Sequence, residues 1–319
     1  VNLPAALRQL SDEVLDGLSL KELSRASEVL SQRYRTETND GNLHLNDDLT
    51  ARAYIATRLP ATYGAVSASL QATAKLRPEF APKALLDVGS GPGTALHAAK
   101  EQWESLGEAQ LIEKSPSIRA WGERASAALE LNVRWLDADV NSSFAAEQAD
   151  LVTIAYVLNE LPEQQRKELI ARLWSLSKDI LVIVEPGTPA GYKRILEART
   201  QLIELGTNII APCPHTKTCP LAIQNDWCHF SQRVARSRLH RQAKNAEVGW
   251  EDEKYSYLAA SKNLGKKVGA RVLATPRGRS GLVTLKLCNE DGSSSEHTIT
   301  KREGEVFKKA RRVDWGDTL

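Results

Sequence analysis

Apolar residues recur at helical spacing early in the chain. Leu20, Leu23, Ala26, Val29 and Leu30 mark one helix face, and Ser19 with Glu22 supplies a capping-box pattern at its start. A second helical stretch, Leu49 to Leu76, carries Tyr54, Leu59 and Tyr63 and is interrupted at Pro60. Between the two lies a polar run, Thr36 to Asp48, with an Asn-Asp-Gly turn signal. From Ala84 the pattern changes. Short apolar runs at Ala84–Val88, Ala109–Ile112, Val133–Leu136, Leu151–Val157 and Ile180–Val184 alternate with helical segments at Thr94–Ser105, Ser117–Leu131, Pro162–Ser177 and Ala190–Leu205. Such alternation predicts a parallel sheet with crossover helices. From about Val272 the chain is β-rich, with a strand at Leu282–Cys288 and a hairpin turn at Asn289-Glu290-Asp291-Gly292. Three regions follow: an N-terminal helical region (1–76), an α/β domain (77–265) with a cysteine-rich insertion at about 206–250, and a basic β-rich extension (266–319).

Composition adds little until charge is divided along the chain. With 42% hydrophobic and 26% charged residues in 319, the chain resembles an ordinary globular protein with a full core. No run approaches the roughly 20 apolar residues of a membrane span. Val1 to Leu10 shows neither a secretory signal nor an Arg-rich presequence, so a cytoplasmic location is expected. The net charge of +2 conceals an asymmetry: Ala211 to Leu319 holds 20 Lys and Arg against 12 Asp and Glu, leaving 22 against 28 before it. A basic C-terminal part points to a polyanionic partner; the alternative is a solvated basic face.

The strongest local chemistry lies in Leu85-Leu86-Asp87-Val88-Gly89-Ser90-Gly91-Pro92-Gly93-Thr94. Here a strand ends in an acid and a glycine-rich turn leads into a helix, letting a ligand approach the backbone. The pattern Asp-x-Gly-x-Gly-x-Gly resembles the first motif of class I S-adenosylmethionine (SAM) methyltransferases, which predicts Asp87, Gly89, Ser90, Gly91 and Gly93 as cofactor contacts. Glu113, at the tip of the second strand, is placed to accept bonds from ribose hydroxyls; the alternative is a surface acid capping the next helix. Asp139, after the third strand, is the candidate for the adenine amino group, with Asp137 read as a turn or capping residue. After the fourth strand, Tyr156 and Asn159 occupy the catalytic position facing methyl group and acceptor, with capping and core packing as the alternatives. Glu185-Pro186-Gly187 ends the fifth strand at the same ligand-binding edge. Methyl transfer needs alignment more than acid–base chemistry, because the sulfonium is already activated.

All four cysteines lie in the C-terminal part: Cys213, Cys219, Cys228 and Cys288. Metal ligation is a better reading than disulfides in a chain without a secretory signal. The long Cys-x5-Cys-x8-Cys spacing with a remote fourth thiol suits a [4Fe-4S] cluster; His215 and His229 keep zinc open as an alternative. The following segment carries Arg233, Arg236, Arg238, Arg241 and Lys244 near Trp227 and Phe230, a candidate RNA-binding surface. These basic residues do not fall on one helical stripe, and some can instead pair with Glu251, Asp252 or Glu253.

Further blocks extend the resemblance. Val184-Glu185-Pro186-Gly187-Thr188-Pro189, Ala211-Pro212-Cys213-Pro214-His215, Cys219-Pro220-Leu221, Asp226-Trp227-Cys228-His229-Phe230-Ser231-Gln232-Arg233, Ser237-Arg238-Leu239-His240 and Tyr255-Ser256-Tyr257-Leu258 join the glycine motif. Together they resemble the Rsm-type, methyltransferase-like family of the small ribosomal subunit, over nearly the whole chain from about Ala51. The resemblance implies a Rossmann-like class I SAM-dependent methyltransferase fold with an N-terminal helical region and a C-terminal cysteine-cluster and β extension. It implies SAM and a [4Fe-4S] cluster as cofactors, with Cys213, Cys219, Cys228 and Cys288 as the cluster ligands. The implied partner is small-subunit rRNA, in methylation or assembly, and the chain resembles a bacterial, cytoplasmic member. Oligomeric state is not readable.

Overall fold

The computed structural model describes residues 1–35, 45, 47–142, 144–244 and 246–319, so most of the polar run from Thr36 lies outside the described residues. Four helices come first: α1 (Ala5–Glu13), α2 (Leu20–Arg35), α3 (Asp48–Thr57) and α4 (Leu59–Leu76). The Ser19–Glu22 capping box forms as the sequence predicts, with Ser19 N donating to Glu22 Oε2 at 3.1 Å and Glu22 N to Ser19 Oγ at 3.3 Å. Pro60 does not break a helix; it sits in the first turn of α4, where its missing N–H costs nothing.

The alternating region gives β1 (Ala84–Val88), α5 (Thr94–Gln102), β2 (Glu108–Ile112), α6 (Pro116–Ser126), β3 (Asn132–Leu136), β4 (Ala149–Ala155), α7 (Glu163–Leu176), β5 (Ser177–Pro186), α8 (Pro189–Glu204) and β6 (Asn208–Ala211). There follow α9 (Pro220–Ile223), β7 (Phe230–Ala235), α10 (Arg238–Ala243) and β8 (Trp250–Ser261). The strand order is β3-β2-β1-β4-β5-β8-β6, with β7 also on β8. Neighbours from β3 to β5 are parallel, whereas β8 runs antiparallel to β5, β6 and β7. This is the mixed sheet of a Rossmann-like SAM-methyltransferase fold.

Successive residues of the central strands enter opposite cores. Leu85, Val182 and Val184 pack with α4 and α5, while Leu86, Leu181 and Ile183 pack with Leu169 and Leu173 of α7. Burial on both faces explains why β1 reads as an apolar run broken only by Asp87. The expected helix to Leu131 instead ends at Ser126, and edge strand β3 is only half buried.

The last 50 residues form a second sheet, β9 (Ala270–Val272), β10 (Arg277–Arg279), β11 (Leu282–Asn289) and β12 (Ser294–Thr300), followed by α11 (Glu305–Ala310). The expected hairpin joins β11 to β12. No helix among the described residues is long and apolar enough to cross a membrane.

Arg77, just after α4, ties the N-terminal helices to the sheet. Its Nη1 and Nη2 donate to Asp179 at 3.1 and 2.9 Å, and it also contacts Ser261 and Glu79. The Arg77 side chain is almost fully buried and Asp179 mostly so. Arg77→Met should therefore lower unfolding free energy by about 3 kcal/mol by stranding Asp179, measured by urea denaturation. A change near zero would mean that the pair holds nothing together.

Candidate functional site

The glycine turn adopts the shape its sequence requires. Gly89, Gly91 and Gly93 have φ of 69°, 54° and 78°, in the region where a side chain is strained. Gly89 lies against Val157 with no room for a Cβ, whereas a Cβ on Gly91 would enter open space. Gly89 N and Ser90 N donate to Ile112 O at 2.9 and 3.0 Å, so the turn is strapped to the end of β2.

Around this turn the carboxyl edge of the sheet collects acids. Asp87 is buried; its Oδ1 accepts from Thr153 Oγ1 at 2.7 Å, and its Oδ2 is buried without a hydrogen-bond partner. Burial pushes Asp87 up to about 6. Glu113 accepts from Gly91 N through Oε2 and from Ser115 N through Oε1, both at 2.8 Å, so the predicted ribose acid sits beside the glycine turn. Burial also pushes Glu160 up to about 8, helped by Glu113, Glu185 and Asp139 and opposed by Arg33 of α2. Asp139 reaches the same edge, but Lys114 Nζ holds its Oδ2 at 2.6 Å and Asn141 N its Oδ1 at 2.9 Å. An adenine amino group would have to compete with both. Asp137 lies outside this set, in an exposed ion pair with Arg119 at 2.9 Å.

The turn after β4 is more enclosed than the sequence suggests. Tyr156 has φ of 60°, the left-handed region, and its hydroxyl donates to Glu253 Oε1 at 2.9 Å. Arg58, at the junction of α3 and α4, reaches the same oxygen at 3.3 Å. Asn159 Oδ1 is buried without a hydrogen-bond partner. Glu185, expected at the ligand-binding edge, is instead fully buried: it accepts from Leu158 N at 3.1 Å and from Arg194 Nε at 2.6 Å. It fixes the turn carrying Asn159. Thr153 and Arg58 escaped sequence reasoning because each meets its partner across a long separation, and Glu253, read there only as a partner for basic residues, also takes the Tyr156 hydroxyl.

The cysteines converge on a second site. Cys213, Cys219, Cys228 and Cys288 line one cavity of about 530 Å³, counting its mouth, together with Tyr192 and Arg199 of α8 and Arg271 of β9. Burial raises Cys213, with Arg199 pulling it back, and pushes Cys288 up to about 12. His215 Nε2 lies 3.4 Å from Cys288 Sγ, whereas His229 stacks on Trp227 and is not in the cavity wall. Among the described residues no group of three or more His, Cys, Asp or Glu is close enough to cage one metal ion.

The basic segment divides between β7 and α10, which is why it shows no helical stripe. Arg233 makes two bonds to Asp252 at 2.8 and 3.0 Å, Arg236 pairs with Glu251 at 3.0 Å, and Lys244 with Glu251 at 3.5 Å. Internal pairing, the alternative drawn from sequence, thus engages three of the five. Arg238 and Arg241 are exposed on α10.

Asp87 gives this site a pH signature. A carboxyl raised from 3.8 to about 6 binds its proton more tightly folded than unfolded. Its contribution to stability is therefore full below about pH 4 and is lost as pH rises through about 6. Urea unfolding of Asp87→Asn against the parent should show the variant gaining roughly 2 kcal/mol, relative to the parent, between about pH 4 and about pH 8. A difference independent of pH would contradict this.

Among solved structures, the chain is similar to an O-methyltransferase family protein from Burkholderia thailandensis (14% identity, 77% of this chain and 72% of that one, TM-score 0.46). It is also similar to a SAM-dependent methyltransferase from Aquifex aeolicus (15% identity, 67% and 98%, TM-score 0.44). At these scores the likenesses add nothing to the strand order above. Among sequence relatives, human "Ribosome assembly protein METTL17, mitochondrial" is 29% identical over 290 residues, covering 83% of this chain and 61% of the relative. "Rsm22-cox11 tandem protein 2, mitochondrial" from Schizosaccharomyces pombe is 23% identical over 367 residues, covering 93% and 46%. The chain thus spans about half to three-fifths of the length of these relatives. The model of the family described as "Mitochondrial small ribosomal subunit Rsm22" matches residues 48–319, which contain both the glycine turn and all four cysteines, and the chain belongs to that family.

Proposed function

We propose that the chain is a SAM-binding, methyltransferase-like protein that acts on the small ribosomal subunit, in rRNA methylation or in assembly. The observation that carries the SAM reading is the buried, unpartnered Asp87 Oδ2 beside a glycine turn with open space at Gly91. SAM brings a sulfonium and an ammonium, and the acids at this edge suit a cationic ligand. In this reading Gly89, Ser90, Gly91 and Gly93 line the amino-acid end, Glu113 takes the ribose hydroxyls, and Asp139 faces the adenine. Tyr156 and Asn159 stand on the acceptor side. Glu113→Ala should weaken equilibrium binding of tritiated SAM by about tenfold or more, the loss expected of a charge-assisted hydrogen bond. Unchanged affinity would remove Glu113 from the site.

A ribosomal partner is supported by family membership and by the naming of the human relative as a ribosome assembly protein. Contact with rRNA falls to basic groups left exposed: Arg238 and Arg241 on α10, and Lys309, Arg311 and Arg312 at the end of the chain. Arg233, Arg236 and Lys244 would contribute only by giving up their carboxylates. A specific observation favours an assembly role without methyl transfer: the Tyr156 hydroxyl is already committed to Glu253. Incubation with tritiated SAM and purified small subunits or their precursors separates the two readings. Label on rRNA shows catalysis, and SAM binding without label shows the assembly role.

In this reading the cysteine cavity would hold a [4Fe-4S] cluster on Cys213, Cys219, Cys228 and Cys288, the four cysteines that line it. A zinc ion needs four donors about 2.3 Å from a single point, whereas a cluster spreads its thiolates over a larger body. Four thiols lining one cavity would supply the four thiolates such a cluster takes. When bound, the cluster would supply cross-linking between the loop after β6 and strand β11. Freshly purified protein should be brown, absorbing near about 400 nm. A colourless, zinc-loaded protein would overturn this assignment.

A further inference from the structure

Two arginines are buried in the wall of the cysteine cavity without a carboxylate to balance them. Arg199 is 4% exposed and Arg271 is 3% exposed. Both spend their donors on main-chain carbonyls: Arg199 Nη2 on His215 O and Lys217 O, each at 2.8 Å, and Arg271 on Pro212 O at 2.8 Å and Gly316 O at 2.7 Å. Each keeps one N–H, Nε of Arg199 and Nη2 of Arg271, buried without an acceptor. Other buried arginines are different: Arg194 lies on Glu185 and Arg77 on Asp179. Among the described residues, neither Arg199 nor Arg271 forms an ion pair.

A guanidinium cannot shed its charge, so two of them buried near one another demand an anion. The cysteines are the groups in this cavity that can supply it. Arg271 stands directly across the β9–β11 ladder from Cys288, and Arg199 faces Cys213. Four neutral thiols would leave both charges unbalanced. Four thiolates on a dipositive core, whether a zinc ion or an oxidised four-iron cluster, sum to a dianion that two guanidiniums neutralise.

We infer that Arg199 and Arg271 are the counter-cations of a net-anionic tetrathiolate centre, and that they hold its charge inside the C-terminal unit. The inference rests on the reading of the cavity as a metal centre and not on which metal fills it. Both arginines act through charge on the bound group, while their carbonyl bonds pin the loop on both sides of Cys213, at Pro212, His215 and Lys217, and the chain near Gly316.

The test separates charge from hydrogen bonding in the full chain purified anaerobically. Arg271→Gln and Arg271→Lys both disturb the carbonyl bonds, but only the glutamine removes the charge. Metal release to a chelator should be about tenfold or more faster in Arg271→Gln than in Arg271→Lys, since a buried anion is left short of a partner. If the centre is a cluster, the loaded Gln variant should also show a lower reduction midpoint than the Lys variant. Equal release rates for Gln and Lys, or rates equal to the parent's, would overturn the inference. A zinc-loaded protein would sink the cluster assignment alone, because the release comparison still decides the role of charge. Should Arg271→Gln fail to fold, the same pair at Arg199 decides it, since the carbonyl bonds of Arg199 stay within one short loop. Protein that never binds metal would refute the inference together with the metal-centre reading.

Discussion

Backbone pairing of β8 is the constraint on which the rest of the molecule depends. This twelve-residue strand enters antiparallel beside β5 and separates it from β6, and its first half also carries β7. Through Glu253 it reaches Tyr156 in the turn after β4. Through Ser256, whose hydroxyl donates to Cys228 O at 2.8 Å, it holds the third cysteine, and through Tyr257 it lines the cavity. One strand therefore sets the distance between the glycine turn and the cysteines. Neither site can shift alone while β8 keeps its register.

Helix α8 is the second link, packed between the sheet and the cysteine loop. Arg194 clamps Glu185 and so the turn bearing Asn159, while Tyr192 comes within 3.2 Å of Cys219 Sγ and Arg199 binds the loop carbonyls. Its approach to the sheet depends on Gly191, where a Cβ would run into Pro186 O. The two sites differ in electrostatic character. The sheet edge gathers acids, Asp87, Glu113 and Glu160 among them, whereas the cavity gathers two guanidiniums around four thiols.

What could be read from sequence was local in origin. The β1–turn–α5 unit declared itself because strand, acid, three glycines and helix start lie within ten residues, each with a backbone reason for its place. The alternation that predicts a parallel sheet was equally visible, since two-sided burial demands continuous apolar strands. Pairings over long separations were visible only as the alternative that some basic residues meet Glu251, Asp252 or Glu253, not which meets which. Asp252 lies opposite Arg233, and Glu251 opposite Val234, only through the β7–β8 register, which no periodicity announces. Glu185 ends its strand where a ligand acid belongs, yet Arg194 one helical turn into α8 claims it for structure. Arg199 and Arg271 carry no motif at all, being ordinary arginines until the fold buries them.

The placement of Cys288 gives the cavity a meaning in time. Three of its thiols lie in one stretch of chain, but the fourth is on β11, sixty residues beyond Cys228, and arrives only with the second sheet. During synthesis the main sheet can close when β8 emerges, while the cavity still lacks one wall. A cavity lined by all four thiols thus exists only once β11 has been made and the second sheet has docked.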